Sequence, residues 1–317
     1  MPTTQLRSLL LPVVVSASAL ALTPLEPAAP APWGEVGHRL AARSAASGLP
    51  GAMPAFFRDA AGQLEYLDPE PDRWRSRELN TMDQAFAYDH YIDLENVPAR
   101  ALDAPHRWEF VRLLYEAGVE VPERDAGFLP YRVLELYERL LAEWRLWREN
   151  DGPERAWIEQ RIINDAGVLG HYVTDASQPH HTTIHYNGWA DDAPNPAGYT
   201  TERDFHWRFE SAFVAAHVDF GEVLAATRPG APRHLADTRA AVLDYLLAGH
   251  REVETLYRLE KEARFDPETS PPTAHLEFAV DRLAVGASML RDLWWTAWLE
   301  SAVPEADVRG NPESPAP

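Results

Sequence analysis

Along most of this chain apolar residues recur every three to four positions, the spacing of one helix face rather than the alternation of a strand. The pattern predicts helices over 34–49, 54–67, 104–117 and 129–149. The last is amphipathic, with Leu134, Leu136, Leu140, Leu141 and Trp144 among its apolar residues. Pro153 stands where the first turn of another helix tolerates it, and that helix should run past Asp175. Residues 68–80, rich in Pro, Asp and Arg, read as loop, as do residues 177–201, dense in Pro, Asn, Gly and Thr. Thr201 or Asp204 is positioned to cap a helix reaching Ala216, and two more are expected over 234–263 and 273–301. Strand-like alternation is rare and no internal repeat is evident. The expected fold is all-α, a single helical bundle domain.

The two ends depart from this pattern. An apolar run from Leu9 to Leu22 follows Arg7 and leads into small residues around Ala29-Pro30-Ala31, the layout of a secretory signal peptide. It is too short for a confident membrane span. We expect residues 1–32 to be signal peptide and pro-segment, 33–302 the helical domain, and 303–317 a disordered polar tail. The product is then a secreted or periplasmic monomer, with no transmembrane segment once processed.

Composition narrows the chemistry. The chain has 317 residues and no cysteine, so disulfides and thiolate chemistry are excluded. Any metal must sit on His, Asp, Glu or backbone groups, a preference that suits zinc. The net charge of −20 argues against a basic groove for duplex DNA. It does not exclude a metal site that engages a single phosphate.

Five of the twelve histidines fall within one stretch: His171, His180, His181, His185 and His206. His171 and Asp175 lie four apart on a predicted helix, as do His206 and Glu210, so each pair shares a face. Each can offer an imidazole and a carboxylate to one ion, and helical bundles commonly build metal sites this way. A single such pair is more often a surface ion pair; two flanking a histidine-dense loop favour a metal. Adjacent His180 and His181 cannot both face one ion, so one of them belongs to the surroundings. His106, His217, His234, His250 and His275 read as structural or exposed.

The segment Gly170-His-Tyr-Val-Thr-Asp175-Ala-Ser-Gln-Pro-His-His181-Thr-Thr, with His185-Tyr-Asn-Gly188, resembles the central motif of the zinc-dependent phospholipase C enzymes. These form one superfamily with the fungal single-strand-specific nucleases. Its His-x3-Asp pattern, with a further histidine six residues on, selects His181. Phe205-His-Trp-Arg-Phe-Glu210 resembles the superfamily's second His-x3-Glu pair, Asp89-His-Tyr-Ile-Asp-Leu94 the segment supplying His90, and Trp33-Gly-Glu-Val-Gly-His38 the mature N-terminus of the nuclease branch.

The resemblance implies three zinc ions per chain. One would be held by His90, His171, Asp175 and a carboxylate from the 68–72 segment. Asp72, in Pro71-Asp-Arg-Trp-Arg75, fits that carboxylate best, with Asp68 as the alternative. The second would use His181, His206 and Glu210. The third would use His38, Asp175 as a bridge, and the amine and carbonyl of Trp33. That last set requires Trp33 to be the first mature residue; Pro32 before it makes direct cleavage there atypical, so either trimming follows or the third site is built differently. The implied activity is phosphodiester hydrolysis by metal-activated water, with Asp175 setting the ion spacing and Asp72 a candidate proton acceptor. The substrate would be a phospholipid head group or single-stranded nucleic acid. Absent cysteines and Glu210 resemble the phospholipase branch, the Trp33–His38 spacing the nuclease branch, and we favour the former. Tyr186, Trp189 and Trp207 are candidate substrate contacts, although most aromatics in a bundle are core. The competing readings are a zinc-binding protein without turnover and a purely structural helical protein.

Overall fold

The Arg155–Asp175 helix is the axis of the molecule. In its second half every residue from Asp165 to Asp175 is buried, so it has no solvent face there and must be enclosed on all sides. The Leu129–Glu149 helix pairs with it along its length, and the Thr273–Glu300 and Gly34–Ser47 helices pack against the other sides. The computed structural model describes residues 34–302. Among these residues the only β pairing is two isolated bridges, so the fold is all-α, as expected. Trp33, the segment expected to be a signal peptide and the segment expected to be a polar tail lie outside the described residues. No described helix is long and apolar enough to cross a membrane.

Close packing around the axis rests on small residues. At Gly167 a Cβ would overlap the Leu67 side chain, and at Gly170 it would overlap the carboxylate of Asp68. The two glycines, one turn apart, let the Ala61–Leu67 helix press its C-terminal end onto the axis. Behind them, Phe57, Trp144 and Trp294 are fully buried and meet edge to face, and Trp294 Nε1 donates to the Ala166 carbonyl at 3.2 Å.

Several boundaries differ from the sequence expectation. The 54–67 segment is two helices, Ala55–Asp59 and Ala61–Leu67, separated at Ala60. Residues 68–80 are not loop: they hold the Glu70–Arg73 turn and the Arg77–Leu79 3₁₀ turn, and the Asn80–Phe86 helix follows. Pro153 lies outside its helix, which starts at Arg155. Asp204 does occupy the N-cap position, but its side chain faces Arg208 and Arg264 instead of the backbone. The expected 234–263 helix is interrupted at Arg251 and Glu252, giving Thr238–His250 and Val253–Glu262. An additional helix, Phe220–Ala226, begins with a capping box formed by Asp219 and Glu222, a signature legible in the sequence.

Trp294→Ala removes a buried ring and a hydrogen bond to the axial helix. It should lower unfolding free energy by about 3–5 kcal/mol in urea titrations.

Candidate metal centre

The candidate metal-ligating side chains arrive from seven separate segments. His38 lies on the Gly34–Ser47 helix, and Asp68 is the C-cap residue of Ala61–Leu67. Asp72 is in the Glu70–Arg73 turn, and His90 follows the Ala87–Asp89 3₁₀ turn. His171 and Asp175 form the last turn of the axial helix, and His181 belongs to the Pro179–Thr182 3₁₀ turn. His206 sits in Phe205–Trp207, which runs directly into the π-helical turn Arg208–Phe213 carrying Glu210. Irregular helical turns of this kind often mark functional positions.

These residues converge in three groups whose candidate ligand atoms lie within 4.8 Å of one another: His38, Asp68 and His171; Asp72, His90 and His171; and His181, His206 and Glu210. In the second group His171 Nε2 is 3.0 Å from His90 Nδ1 and 3.7 Å from Asp72 Oδ1, while His90 Nδ1 is 3.8 Å from Asp72 Oδ1. Asp175 joins it, with Oδ2 3.1 Å from His90 Nδ1 and 3.4 Å from His171 Nε2. In the third group His206 Nε2 is 2.8 Å from Glu210 Oε2 and 3.2 Å from His181 Nε2, and His181 Nε2 is 3.5 Å from Glu210 Oε2. The other oxygen of Asp175 reaches the remaining imidazole, with Oδ1 3.6 Å from His38 Nε2.

The spacing tests whether a cation fits. Two atoms each about 2.1 Å from a tetrahedral ion stand about 3.4 Å apart. The distances within the second and third groups bracket that value. Both oxygens of Asp72 and Oδ1 of Asp175 are buried with no hydrogen-bond partner among the described residues. Burying an unpaired carboxylate costs several kcal/mol, and here two such groups point inward together. A divalent cation supplies the partner that these atoms lack, so the residues fit a metal.

Neighbours fix the orientation of the candidate ligands. His181 Nδ1–H donates to the His90 carbonyl at 2.6 Å, which turns the Nε2 lone pair toward His206 and Glu210. Gln178 donates from Nε2 to Glu210 Oε2 at 3.0 Å, while its Oε1 accepts from the His180 backbone N–H at 2.8 Å. That second bond forbids an amide flip. Asn187 Oδ1 accepts from the His206 backbone N–H at 3.3 Å. Behind His90 and His171 stands the Tyr172 ring, with Arg132 over it.

Burial shapes the electrostatics. It pushes the carboxyl groups of Asp68, Asp72 and Asp175 well above the usual carboxylate range. It also holds His90, His171 and His180 well below the usual histidine range. Glu210 departs from this trend: burial acts to raise it, but His206 and His181 together outweigh that and hold it low. Without a cation the interior therefore suppresses charge on both kinds of group. A dication reverses the balance, favouring ionised carboxylates beside neutral imidazoles.

The centre opens into a cleft of about 390 Å³ whose mouth is formed by Arg75, Tyr91, Asp93, Arg124, Tyr186 and Asn187. A larger groove of about 660 Å³ beside Arg228, Arg233 and Tyr245 contains none of the converging residues. Donor geometry, not volume, locates the centre.

Comparison with known proteins adds nothing to this picture: no family model, curated protein or solved structure matches the chain.

The structure brings together His38, Asp72, His90, His171, Asp175, His181, His206 and Glu210. Asp68 and Asp72, weighed as alternatives from sequence, are both at the centre, the former against His38 and the latter between His90 and His171. His180 is buried among Phe205, Phe209 and Tyr257 and is not a solvent residue. Of the aromatic candidates, Tyr186 reaches the cleft; Trp189 stacks on His185, and Trp207 is not at the mouth. His106, His217 and His275 are structural: the first caps a helix, and the others bond backbone carbonyls. Sequence reasoning missed Arg75, Gln178 and Asp93 as site residues, although all three lie inside the motifs it singled out.

Two outcomes follow. Chelator treatment should lower the melting temperature markedly and zinc should restore it, because the emptied centre leaves buried carboxyl groups without the cation that would pair with them. Asp93 is pushed up to about 7 by burial, with Glu95 and Asp125 adding to the effect. The folded protein therefore keeps a proton that the unfolded chain loses near pH 4, and stability falls as pH rises from there through about 7. Asp93→Asn should flatten that fall, by on the order of 1–3 kcal/mol between pH 5 and pH 8 in urea titrations.

Proposed function

We propose that this protein is an exported zinc-dependent phosphodiester hydrolase of the phospholipase C type, with single-stranded nucleic acid as the alternative substrate. The observation that carries the reading is three groups of largely buried His, Asp and Glu at ligand spacing, two of them sharing His171, opening on a cleft bordered by arginines. The resemblance of the Gly170–Gly188 and Phe205–Glu210 segments supports it independently.

His90, His171, Asp72 and Asp175 would hold one zinc ion, and His181, His206 and Glu210 a second. His38 and Asp175 would contribute to a third. Zinc supplies Lewis acidity, neutralising phosphate charge and making water acidic enough to ionise near neutral pH. The chain's own residues do the rest. Asp175, with one oxygen toward His38 and the other toward His90 and His171, sets the separation of neighbouring sites. Asp72 has no hydrogen bond to give up, so it can take the proton released by attacking water. Arg75 and Arg124 place positive charge where phosphoryl oxygens must pass, and Arg75 is near enough to act electrostatically on Asp72, His90, His171 and Asp175. Gln178 and Asn187 keep Glu210 and the His206 backbone in place.

One observation favours the nucleic-acid alternative. Tyr186 is half exposed at the mouth, 6.3 Å from the His206 ring, and offers a face on which a base would stack.

The zinc-loaded protein should hydrolyse bis(4-nitrophenyl) phosphate, and a phosphatidylcholine analogue in preference to single-stranded DNA. Arg75→Ala should reduce kcat by on the order of 10²–10³-fold while zinc content is unchanged. Stoichiometric zinc with no turnover of any ester would instead identify a metal-binding protein without catalysis. Absence of bound zinc would leave a structural helical protein.

A further inference from the structure

Asp68 is fully buried, and its Oδ1 lies 2.8 Å from Nδ1 of His38, which is also fully buried. The opposite nitrogen of that imidazole faces Asp175 Oδ1 at 3.6 Å. The two ring nitrogens thus point to different carboxylates, and only one side of the ring turns toward the shared residue of the centre. His38 and His171 rings stack at 4.0 Å with an interplanar angle of 18°, so fixing one plane fixes the other. Asp68 is itself held against the axial helix by the absence of a side chain at Gly170.

From this geometry we infer that Asp68 is a positioning residue and not a metal ligand: it accepts the Nδ1–H of His38 and turns the Nε2 lone pair toward the side on which a cation would sit beside Asp175. The inference rests on the metal-centre reading above. Without a partner at Nδ1 the imidazole divides between two tautomers, and one of them presents N–H to the cation. Carboxylates behind metal-bound histidines fix tautomer and ring orientation, and their loss commonly weakens binding roughly 10–100-fold. The arrangement also leaves the His38 site dependent on the Ala61–Leu67 helix, which contributes no ligand to it. A Cβ at Gly170 would meet the Asp68 carboxylate first and the Leu290 side chain next, so Gly170 acts on metal binding chiefly through Asp68.

The test is zinc titration of the chelator-stripped full chain, with His38→Ala identifying the site that contains this imidazole. Asp68→Asn should retain that site with roughly 10–100-fold weaker affinity, because the amide oxygen can still accept from Nδ1–H. Asp68→Ala should weaken it further. In the zinc-free protein, nitrogen-15 spectra of the histidine rings should show His38 as the Nδ1–H tautomer in wild type and Asp68→Asn, and as a mixture in Asp68→Ala. If Asp68→Asn abolishes the site as completely as His38→Ala, Asp68 is a ligand and the inference is overturned. Unchanged affinity in Asp68→Ala overturns it equally. Should Asp68→Ala fail to fold, Gly170→Ala, which displaces the carboxylate without removing it, should show a 10–100-fold loss, and unchanged affinity there counts against the inference. A wild-type protein that takes up no zinc removes the metal centre itself, a result separate from any contrast among the variants.

Discussion

Carboxylates that cannot reach water are the constraint from which the rest of this structure follows. Asp68, Asp72, Asp175 and Glu210 are gathered with His38, His90, His171, His181 and His206 in one largely enclosed region. Like charges so placed repel, and desolvation compounds the cost. Such a cluster persists only where packing elsewhere over-determines it and where a counter-charge belongs at its middle. The long helices supply the first condition, and the ligand-like spacing points to the second.

The scaffold meets the packing requirement through an unusual axial helix. A helix buried on every side ordinarily carries apolar residues throughout, but this one ends in His171, Thr174 and Asp175, all buried. Its apolar part, with Ile162, Leu169 and Val173, is gripped by neighbours rich in aromatic rings, so the polar end is held rigidly. Gly167 and Gly170 bring a second segment close enough to place Asp68 against His38. Opposite, the π-helical turn at Arg208–Phe213 sets Glu210 facing the axis, and Gln178 ties it there. Of the candidate ligands, Glu210 is thus tied by Gln178 and His38 by Asp68.

Charge is distributed in two tiers. The chain as a whole is strongly acidic, with a formal charge of −20, yet arginines stand at the mouth of the cleft. An acidic exterior disfavours nonspecific adhesion to extended polyanions, whereas a local positive rim still admits one phosphate group. That combination suits a centre acting on a single ester linkage more than one tracking along a charged polymer.

The sequence by itself determined the all-α class, the 129–149 helix to the residue, and the pairing of His171 with Asp175 and of His206 with Glu210. These are local consequences of helical periodicity, in which residues four apart share a face. It did not determine where the 54–67 and 234–263 segments break, because those interruptions answer to packing against distant helices. Nor could spacing decide between Asp68 and Asp72: both lie in one short stretch, and only the fold shows the first against His38 and the second between His90 and His171. Gln178, Asp93 and Arg75 acquire meaning the same way, through neighbours dozens of residues away in the chain. Periodicity encodes which face a side chain occupies; what stands opposite that face is a property of the assembled bundle alone.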